Sequence, residues 1–195
     1  MLEEILSKYH VILASASPRR KQLLEELGIQ FVVNPKNIDE SFDAELSPQK
    51  VAERLSEKKA KAFTLEELNE NTLIIAADTI VTIDDQILGK PSNSDEAKRM
   101  LRQLSGRSHE VITGVTIRTS DKIITFSVST KVYFKKLTDE EMDYYIHHFQ
   151  PYDKAGAYGI QEWIGHAAIE WIEGSYFNVM GLPTHSLYEK LLKFN

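Results

Sequence analysis

The sequence predicts an α/β fold in which helices flank a mixed β-sheet and two lobes surround a cleft. Strand-like and helix-like segments alternate along the first part of the 195-residue chain. The five apolar residues at positions 73–77 are typical of a buried strand. Two long stretches rich in β-branched residues, 110–119 and 122–134, predict an antiparallel pair that makes the sheet mixed. We expect residues 1–195 to form a single domain.

The boundaries of the predicted strands and helices are clearest in the first third of the chain. The predicted elements are a strand over residues 11–14, a helix over 18–27, a short strand over 30–33, a polar turn over 34–42 and a helix over 48–63. Ser17 and Ser47 each precede a proline, which is the order expected of a helix N-cap and first helical residue. Gly28 suits the end of the first helix.

The rest of the chain adds one tight turn and one strong helix start. Asp84 and Asp85 form the turn of a predicted hairpin, and Thr138 to Glu141 form a capping box. The predicted elements are strands over 79–83 and 86–88, a helix over 94–104 capped by Ser94, a helix over 138–149, a loop over 151–159, strands over 167–172 and 175–179, and a helix over 183–192.

The composition is that of an ordinary globular protein that acts on a small ligand. Its 23 basic and 29 acidic residues give a net charge of −6, which argues against broad binding to nucleic acid. The chain has no cysteine, which excludes disulfides, thiolate metal sites and a cysteine nucleophile. No stretch approaches the roughly 20 apolar residues of a membrane span, and the first residues have no signal core. We therefore expect a cytoplasmic protein without membrane or nucleic-acid partners.

The segment between the first strand and the first helix has the features of a phosphate site. Ser15 and Ser17 place hydroxyls beside the exposed N–H groups of a helix N-terminus. Arg19 and Arg20 lie in the first helical turn, where the helix dipole disfavours cations. Two adjacent arginines at this position suggest an anion that neutralises them.

Two carboxylates are candidates for a metal or for proton transfer. Asp78 directly follows the apolar run, and ligands of α/β sheets bind beyond the carboxyl ends of strands. A carboxylate there can hold a divalent metal or activate a water, although an aspartate that only ends a strand is an equally good interpretation of the spacing. Glu40 is a second candidate ligand, but an acidic turn residue is usually solvated.

Three further polar residues have both a functional and a purely structural interpretation. Lys59 lies in a lysine-rich helix end, which is usually a solvated face. Lys90 sits between a glycine and a proline, but position 84 is Asp rather than the glycine that a P-loop requires. Gln161 ends a loop of small residues that can approach a ligand closely, and its amide either reads a base edge or phosphate or is simply a surface group after a tight turn.

With these residues in place, the chain resembles the Maf family of nucleoside triphosphate pyrophosphatases. Four segments carry the resemblance in chain order: Leu13-Ala-Ser-Ala-Ser-Pro-Arg-Arg20; Ala77-Asp-Thr-Ile-Val81 with Gly89-Lys-Pro91; Leu104-Ser-Gly106 leading to His109; and Asp153-Lys-Ala-Gly-Ala-Tyr-Gly-Ile-Gln161 with Gly174-Ser-Tyr176 and Gly181-Leu-Pro183. Each segment alone is weak evidence for the family, but the four segments together, in this order, are specific to it. The resemblance implies a Maf or ITPase-like fold, with a strongly twisted mixed sheet and a nucleotide cleft between two lobes.

The resemblance also implies an activity and a branch of the family. Maf-like enzymes hydrolyse nucleoside triphosphates to the monophosphate and pyrophosphate with a divalent cation, which here would be Mg²⁺, Mn²⁺ or Co²⁺. The branch that acts on dTTP and UTP carries a second arginine, a threonine after the catalytic aspartate and a glutamine that ends the GAYGIQ segment. These positions are Arg20, Thr79 and Gln161. A housecleaning role in nucleotide pools would follow.

The remaining site residues are transferred position by position from the same resemblance. The catalytic aspartate, as proton acceptor, falls on Asp78, and the other active-site positions fall on Glu40, Lys59 and Lys90. Arg19 is expected at the substrate. We hypothesise that Glu40 and Asp78 hold the metal.

Two other functions remain open at this stage. One is a pyrophosphatase for modified nucleotides such as 7-methyl-GTP, and the other is a non-catalytic, nucleotide-binding regulator of cell division. The stretch 162–165 departs from the usual family pattern, because Trp163 follows so closely on Gln161. This departure bears on the fine substrate preference, and the sequence also leaves a homodimer open.

Overall fold

A computed structural model describes residues 2–194, and within that range seven strands form one mixed sheet flanked by helices, as predicted. The strands are β1 (His10–Leu13), β2 (Val32–Val33), β3 (Thr72–Ile83), β4 (Gln86–Leu88), β5 (Ser108–Arg118), β6 (Ile123–Phe134) and β7 (Ile169–Glu173). The strand order is β2-β1-β3-β5-β6-β7, and β4 pairs with β3 off this path.

Parallel and antiparallel pairings occupy different parts of the sheet. β1 runs parallel to both β2 and β3, with Leu13 opposite Val33 and Ile75. β4 is antiparallel to β3, and β7 is antiparallel to β6. Parallel strands need buried faces, which explains why the β3 residues that pair with β1 are buried throughout.

The described residues form eight α-helices, and those that begin at Pro18, Pro48 and Asp139 start where local capping chemistry predicts. The helices are α1 (Leu2–Leu6), α2 (Pro18–Glu26), α3 (Pro48–Lys61), α4 (Ser94–Leu104), α5 (Asp139–Phe149), α6 (Trp163–Ala168), α7 (Tyr176–Met180) and α8 (Thr184–Leu192). The Ser17 and Ser47 side chains accept the backbone N–H three residues ahead, and the Thr138 capping box is complete. None of the helices in the described range is long and apolar enough to cross a membrane.

The chain divides into two compact units. In the described range, unit 1 comprises residues 2–78, 113–128 and 181–194, and unit 2 comprises residues 79–112 and 129–180. The division falls inside β3, β5 and β6, so that each of these long strands supplies residues to both units.

Several predictions differ from the structure, among them the strand over 167–172, whose first two residues lie in α6. Residues 72–83 form one continuous strand rather than two. The cap of α4 is Asn93 rather than Ser94, because the Asn93 side chain accepts the Glu96 N–H at 2.9 Å. Residues 176–180 form a helix rather than a strand, and the Ser175 hydroxyl before it accepts the Asn178 N–H at 3.3 Å in the manner of an N-cap.

A close approach between α3 and β5 organises unit 1. A Cβ on Gly114 would lie 2.2 Å from the carbonyl oxygen of Ala52, so only glycine allows this contact. The Arg118 guanidinium donates to the carbonyls of Ala60 and Phe63, at 2.8 and 2.9 Å. These bonds satisfy carbonyls at the end of α3, which fixes the helix against the strand.

We predict that Gly114→Ala destabilises the protein by at least about 3 kcal/mol, because the new methyl group would meet backbone rather than a side chain that can move. The free energy of unfolding from urea titration measures this loss. Gly89→Ala is the control, since nothing lies within 4 Å of its Cβ position, and it should stay within about 0.5 kcal/mol of the parent. Equal stability of the two variants would contradict the close approach.

Candidate active site

Asp78 lies inside β3, which corrects the expectation that it ends a strand. β1 pairs with β3 only up to Leu13 and Ile75, and β4 takes up pairing at Val81, opposite Leu88. The strand continues through Asp78 because the antiparallel hairpin extends it beyond the parallel part. Asp78 therefore lies beyond the carboxyl end of the parallel β1–β3 ladder, which is where ligands of such sheets bind.

The Lys59 ammonium lies between two carboxylates. It donates a hydrogen bond to Asp78 and lies 2.9 Å from Oε1 of Glu40. The side chains of Lys59 and Asp78 are only 14% and 12% exposed, whereas that of Glu40 is 49% exposed. α3, β3 and the loop before α3 each contribute one member, so these distant residues form one cluster.

Arg20 lies in the first turn of α2, and its guanidinium donates hydrogen bonds to two groups of unit 1. It is 9% exposed, and its Nε donates to the Gly181 carbonyl at 2.9 Å. Its Nη1 donates to Ser15 Oγ at 3.2 Å, and the same oxygen accepts the Ser17 N–H. The predicted hydroxyl groups therefore orient the arginine and the turn.

The charge of Arg20 is coupled to the acidic cluster. Burial lowers the pKa of Arg20, and the negative charges of Asp78 and Glu40 raise it. The neighbouring cation, Arg19, lowers the same pKa. Unit 1 thus gathers the predicted residues Ser15, Ser17, Arg19, Arg20, Glu40, Lys59 and Asp78 in one electrostatic environment. An arginine desolvated in this way is suited to bind a phosphate oxygen.

The other predicted site residues belong to unit 2. Thr79 is half-buried in β3, and Lys90 is exposed after β4. The loop that ends at Gln161 is fastened to the Lys90 segment, because the Gly156 N–H donates to the Gly89 carbonyl at 3.0 Å. Gly156 has a φ of +69°, so the loop needs glycine at this point.

The Gln161 amide has an unused acceptor. Its Oε1 is buried and has no hydrogen-bond partner among the described residues. A buried carbonyl oxygen without a donor costs about 1–3 kcal/mol, which a ligand N–H would recover. The neighbouring Trp163 packs its ring against Tyr144, with the ring centroids 4.9 Å apart.

The acidic cluster fits a divalent cation. Asp78 and Glu40 already converge on one positive charge, the ammonium of Lys59. Carboxylate oxygens are the ligands that Mg²⁺ and Mn²⁺ prefer, and Mg²⁺ is commonly held by one or two carboxylates together with substrate phosphates. Among residues 2–194 no group of three or more His, Asp or Glu side chains could hold a metal alone. This arrangement therefore suits a cation that binds together with a phosphorylated ligand.

Sequence reasoning missed the groups that hold the functional side chains. The Gly181 carbonyl anchors Arg20 across 161 residues of chain, and Arg118 secures the helix that carries Lys59. Gly181 has a φ of +119°, a conformation that favours glycine, so the Gly-Leu-Pro pattern indicated a special backbone position. The pattern did not indicate that the Gly181 carbonyl accepts a hydrogen bond from Arg20.

A lysine that bridges two carboxylates, beside a buried arginine, is an arrangement suited to a phosphorylated ligand. The model of the Maf family, described as Maf-like protein, matches residues 10–194. This chain therefore belongs to the Maf family, which confirms the resemblance.

Relatives named as dTTP/UTP pyrophosphatases match nearly the whole chain. A dTTP/UTP pyrophosphatase of Porphyromonas gingivalis is 51% identical over 191 residues, which cover 97% of this chain and 96% of the relative. The dTTP/UTP pyrophosphatase of Parabacteroides distasonis is 48% identical over the full length of both chains. That of Flavobacterium johnsoniae is 47% identical over 191 residues, 98% of each chain.

His109, which belongs to one of the family segments, is buried among aromatic side chains. Its Nε2 shares a hydrogen bond of 2.7 Å with the Tyr158 hydroxyl, and its ring packs edge-on against Phe134 and Tyr158. Burial lowers the pKa of His109 to about 3, so the ring is neutral at physiological pH. His109 therefore anchors the loop at Tyr158, three residues before Gln161.

We predict that His109 makes the protein less stable in mild acid. Between pH 6.5 and 3 the unfolded chain binds one more proton at this residue than the folded chain, so the free energy of unfolding falls as pH falls. The contribution is about 1.4 kcal/mol per pH unit between pH 5.5 and 4.5. Denaturation of the wild type and His109→Gln at several pH values should show this extra slope only in the wild type. Identical slopes would show that His109 is not buried as the neutral form.

Proposed function

We propose that this chain hydrolyses dTTP and UTP to the nucleoside monophosphate and pyrophosphate in a metal-dependent reaction. The observation that carries the proposal is the Lys59 ammonium held between Asp78 and Glu40, with a buried Arg20 coupled to both carboxylates. The chain is a hydrolase of nucleoside triphosphates, and the substrate pair is that of its named relatives.

Phosphate binding falls to the basic residues. A triphosphate brings several negative charges to a protein whose own net charge is −6, so local cations must offset them. Arg19 and Arg20, at the N-terminus of α2, are suited to hold phosphate oxygens through paired N–H groups. Lys59 and the exposed Lys90 add positive charge, which stabilises a transition state in which charge spreads over the phosphoryl oxygens.

Glu40 and Asp78 are the residues that would hold the divalent cation. When bound, the cation would polarise a phosphoryl oxygen as a Lewis acid. Its two protein ligands come from different segments, and the substrate would supply further oxygens.

Asp78 is also the proposed proton acceptor. The hydrogen bond from Lys59 fixes the orientation of its carboxylate. The oxygen of a water molecule forms a bond to the α-phosphorus, and its proton passes to Asp78. The bond from the α-phosphorus to the oxygen that bridges to the β-phosphorus breaks, and pyrophosphate leaves whole.

Base selection is assigned to Thr79, Gln161 and Arg20. Uracil and thymine both carry an N3–H donor, which the unpartnered Oε1 of Gln161 can accept. A site built around such polar groups rejects bases that leave them unpaired. We further propose that the chain acts as one Maf-like domain over residues 1–195 and removes unwanted nucleotides from cellular pools.

We predict that the wild type with Mg²⁺ releases pyrophosphate from dTTP and UTP faster than from CTP, GTP, ITP and 7-methyl-GTP. Asp78→Asn should lower kcat for dTTP at least about a thousandfold, because one substitution removes both the proton acceptor and a metal ligand. Asp85→Asn is the matched control. It changes an exposed aspartate in the turn after β3, where asparagine tolerates the positive φ of 61°, and should leave kcat unchanged.

Three results would contradict the proposal. Release of orthophosphate instead of pyrophosphate would assign another reaction. Turnover of purine triphosphates alone would overturn the base assignment. Near-normal turnover by a folded Asp78→Asn variant would remove Asp78 from the mechanism.

A further inference from the structure

Glu162 is a carboxylate that is held from both sides beside Gln161. Its Oε1 lies 3.0 Å from the ammonium of Lys154, and its Oε2 accepts the hydroxyl proton of Tyr145. Lys154 is a largely buried lysine, 9% exposed in its side chain, and it is also paired with Asp153 at 2.7 Å. Burial and then the bond to Glu162 raise the pKa of Tyr145, so that its hydroxyl remains a donor.

The same side chains converge on the backbone of Gly159. The Gly159 N–H donates to the Tyr145 hydroxyl oxygen at 3.0 Å. A Cβ on Gly159 would lie 2.9 Å from Nε2 of Gln161, 3.0 Å from the carboxyl carbon of Glu162 and 3.1 Å from Cε of Lys154. All three side chains therefore pack around one point of the loop.

Nε2 of Gln161 and the carboxyl carbon of Glu162 both lie within 3.0 Å of the Cβ position at Gly159, and Oε1 of Gln161 is not among the three nearest atoms there. The Nε2 group carries positive partial charge, and the fixed negative charge of Glu162 favours it at that position. A flipped amide would turn Oε1 towards the carboxylate instead, which is electrostatically unfavourable in a partly buried site. The unpartnered Oε1 is thereby kept as an acceptor for a ligand.

We propose that Glu162 is a positioning residue that sets the orientation of the Gln161 amide and so favours uracil and thymine over cytosine. Uracil and thymine offer an N3–H donor to Oε1, whereas N3 of cytosine is an acceptor that would need the amide turned round. The proposal rests on the function proposed above, which assigns base selection to Gln161, and adds the residue that fixes its direction. Lys154 and Tyr145 act through Glu162 by holding its carboxylate.

The test compares UTP with CTP as substrates for Glu162→Gln. The substitution keeps the size of the side chain, removes the negative charge that orients the amide, and replaces one acceptor oxygen with an NH2 donor. We expect the ratio of kcat/KM for UTP over CTP to fall about tenfold, mainly through the two KM values, while kcat for UTP stays near the wild-type value. Tyr145→Phe, which frees one end of Glu162, should shift the ratio in the same direction by less.

The matched control is Glu170→Gln, which removes an exposed carboxylate from β7 and should leave the ratio unchanged. Urea unfolding establishes that each variant is folded. A folded Glu162→Gln variant with the wild-type ratio, or with equal losses on both nucleotides, would overturn this inference and leave the proposed function intact. A wild type that releases no pyrophosphate from UTP or dTTP would overturn the proposed function and the inference with it.

Discussion

The contact of one lysine with two carboxylates is the interaction on which the proposed chemistry of this protein depends. Lys59 holds Asp78 and Glu40 together, although the three side chains come from separate segments of unit 1. Without the ammonium, the largely buried Asp78 would lose its hydrogen bond to Lys59, and Arg20 would remain as the positive charge coupled to it. The close packing of α3 at Gly114 is what brings Lys59 to this position.

The two units differ in the physical properties of their residues. Unit 1 concentrates charge, with a desolvated Arg20 coupled to the acidic cluster. Unit 2 supplies a rigid loop, fastened through the Tyr158 hydroxyl to His109 and through the Gly156 N–H to the Gly89 carbonyl. Charge suits phosphate chemistry, and a rigid loop with an unpartnered amide oxygen suits the choice of a base.

Local chemistry was predictable from the sequence, and long-range contacts were not. Ser17 caps its helix as predicted, because capping depends only on residues a few positions apart. The sequence marked Asp78 as a candidate but placed it at a strand end, since the pairing that extends β3 depends on a separate strand. The buried side chain of Asn178 donates to the carbonyl of distant Val111, a contact that no local pattern announced. Family motifs identified Gln161 but not the carboxylate that orients it.

A double-mutant cycle on Lys59 and Asp78 tests the central claim most directly. Pyrophosphate release from dTTP would be measured for Lys59→Met, Asp78→Asn and the double variant, each shown to be folded. When two residues act as one catalytic unit, removing either one already abolishes their joint contribution. The double variant should therefore have a kcat/KM close to that of the more damaged single variant. Losses that multiply in the double variant, or a single variant with near wild-type activity, would show that the cluster is not the reaction centre.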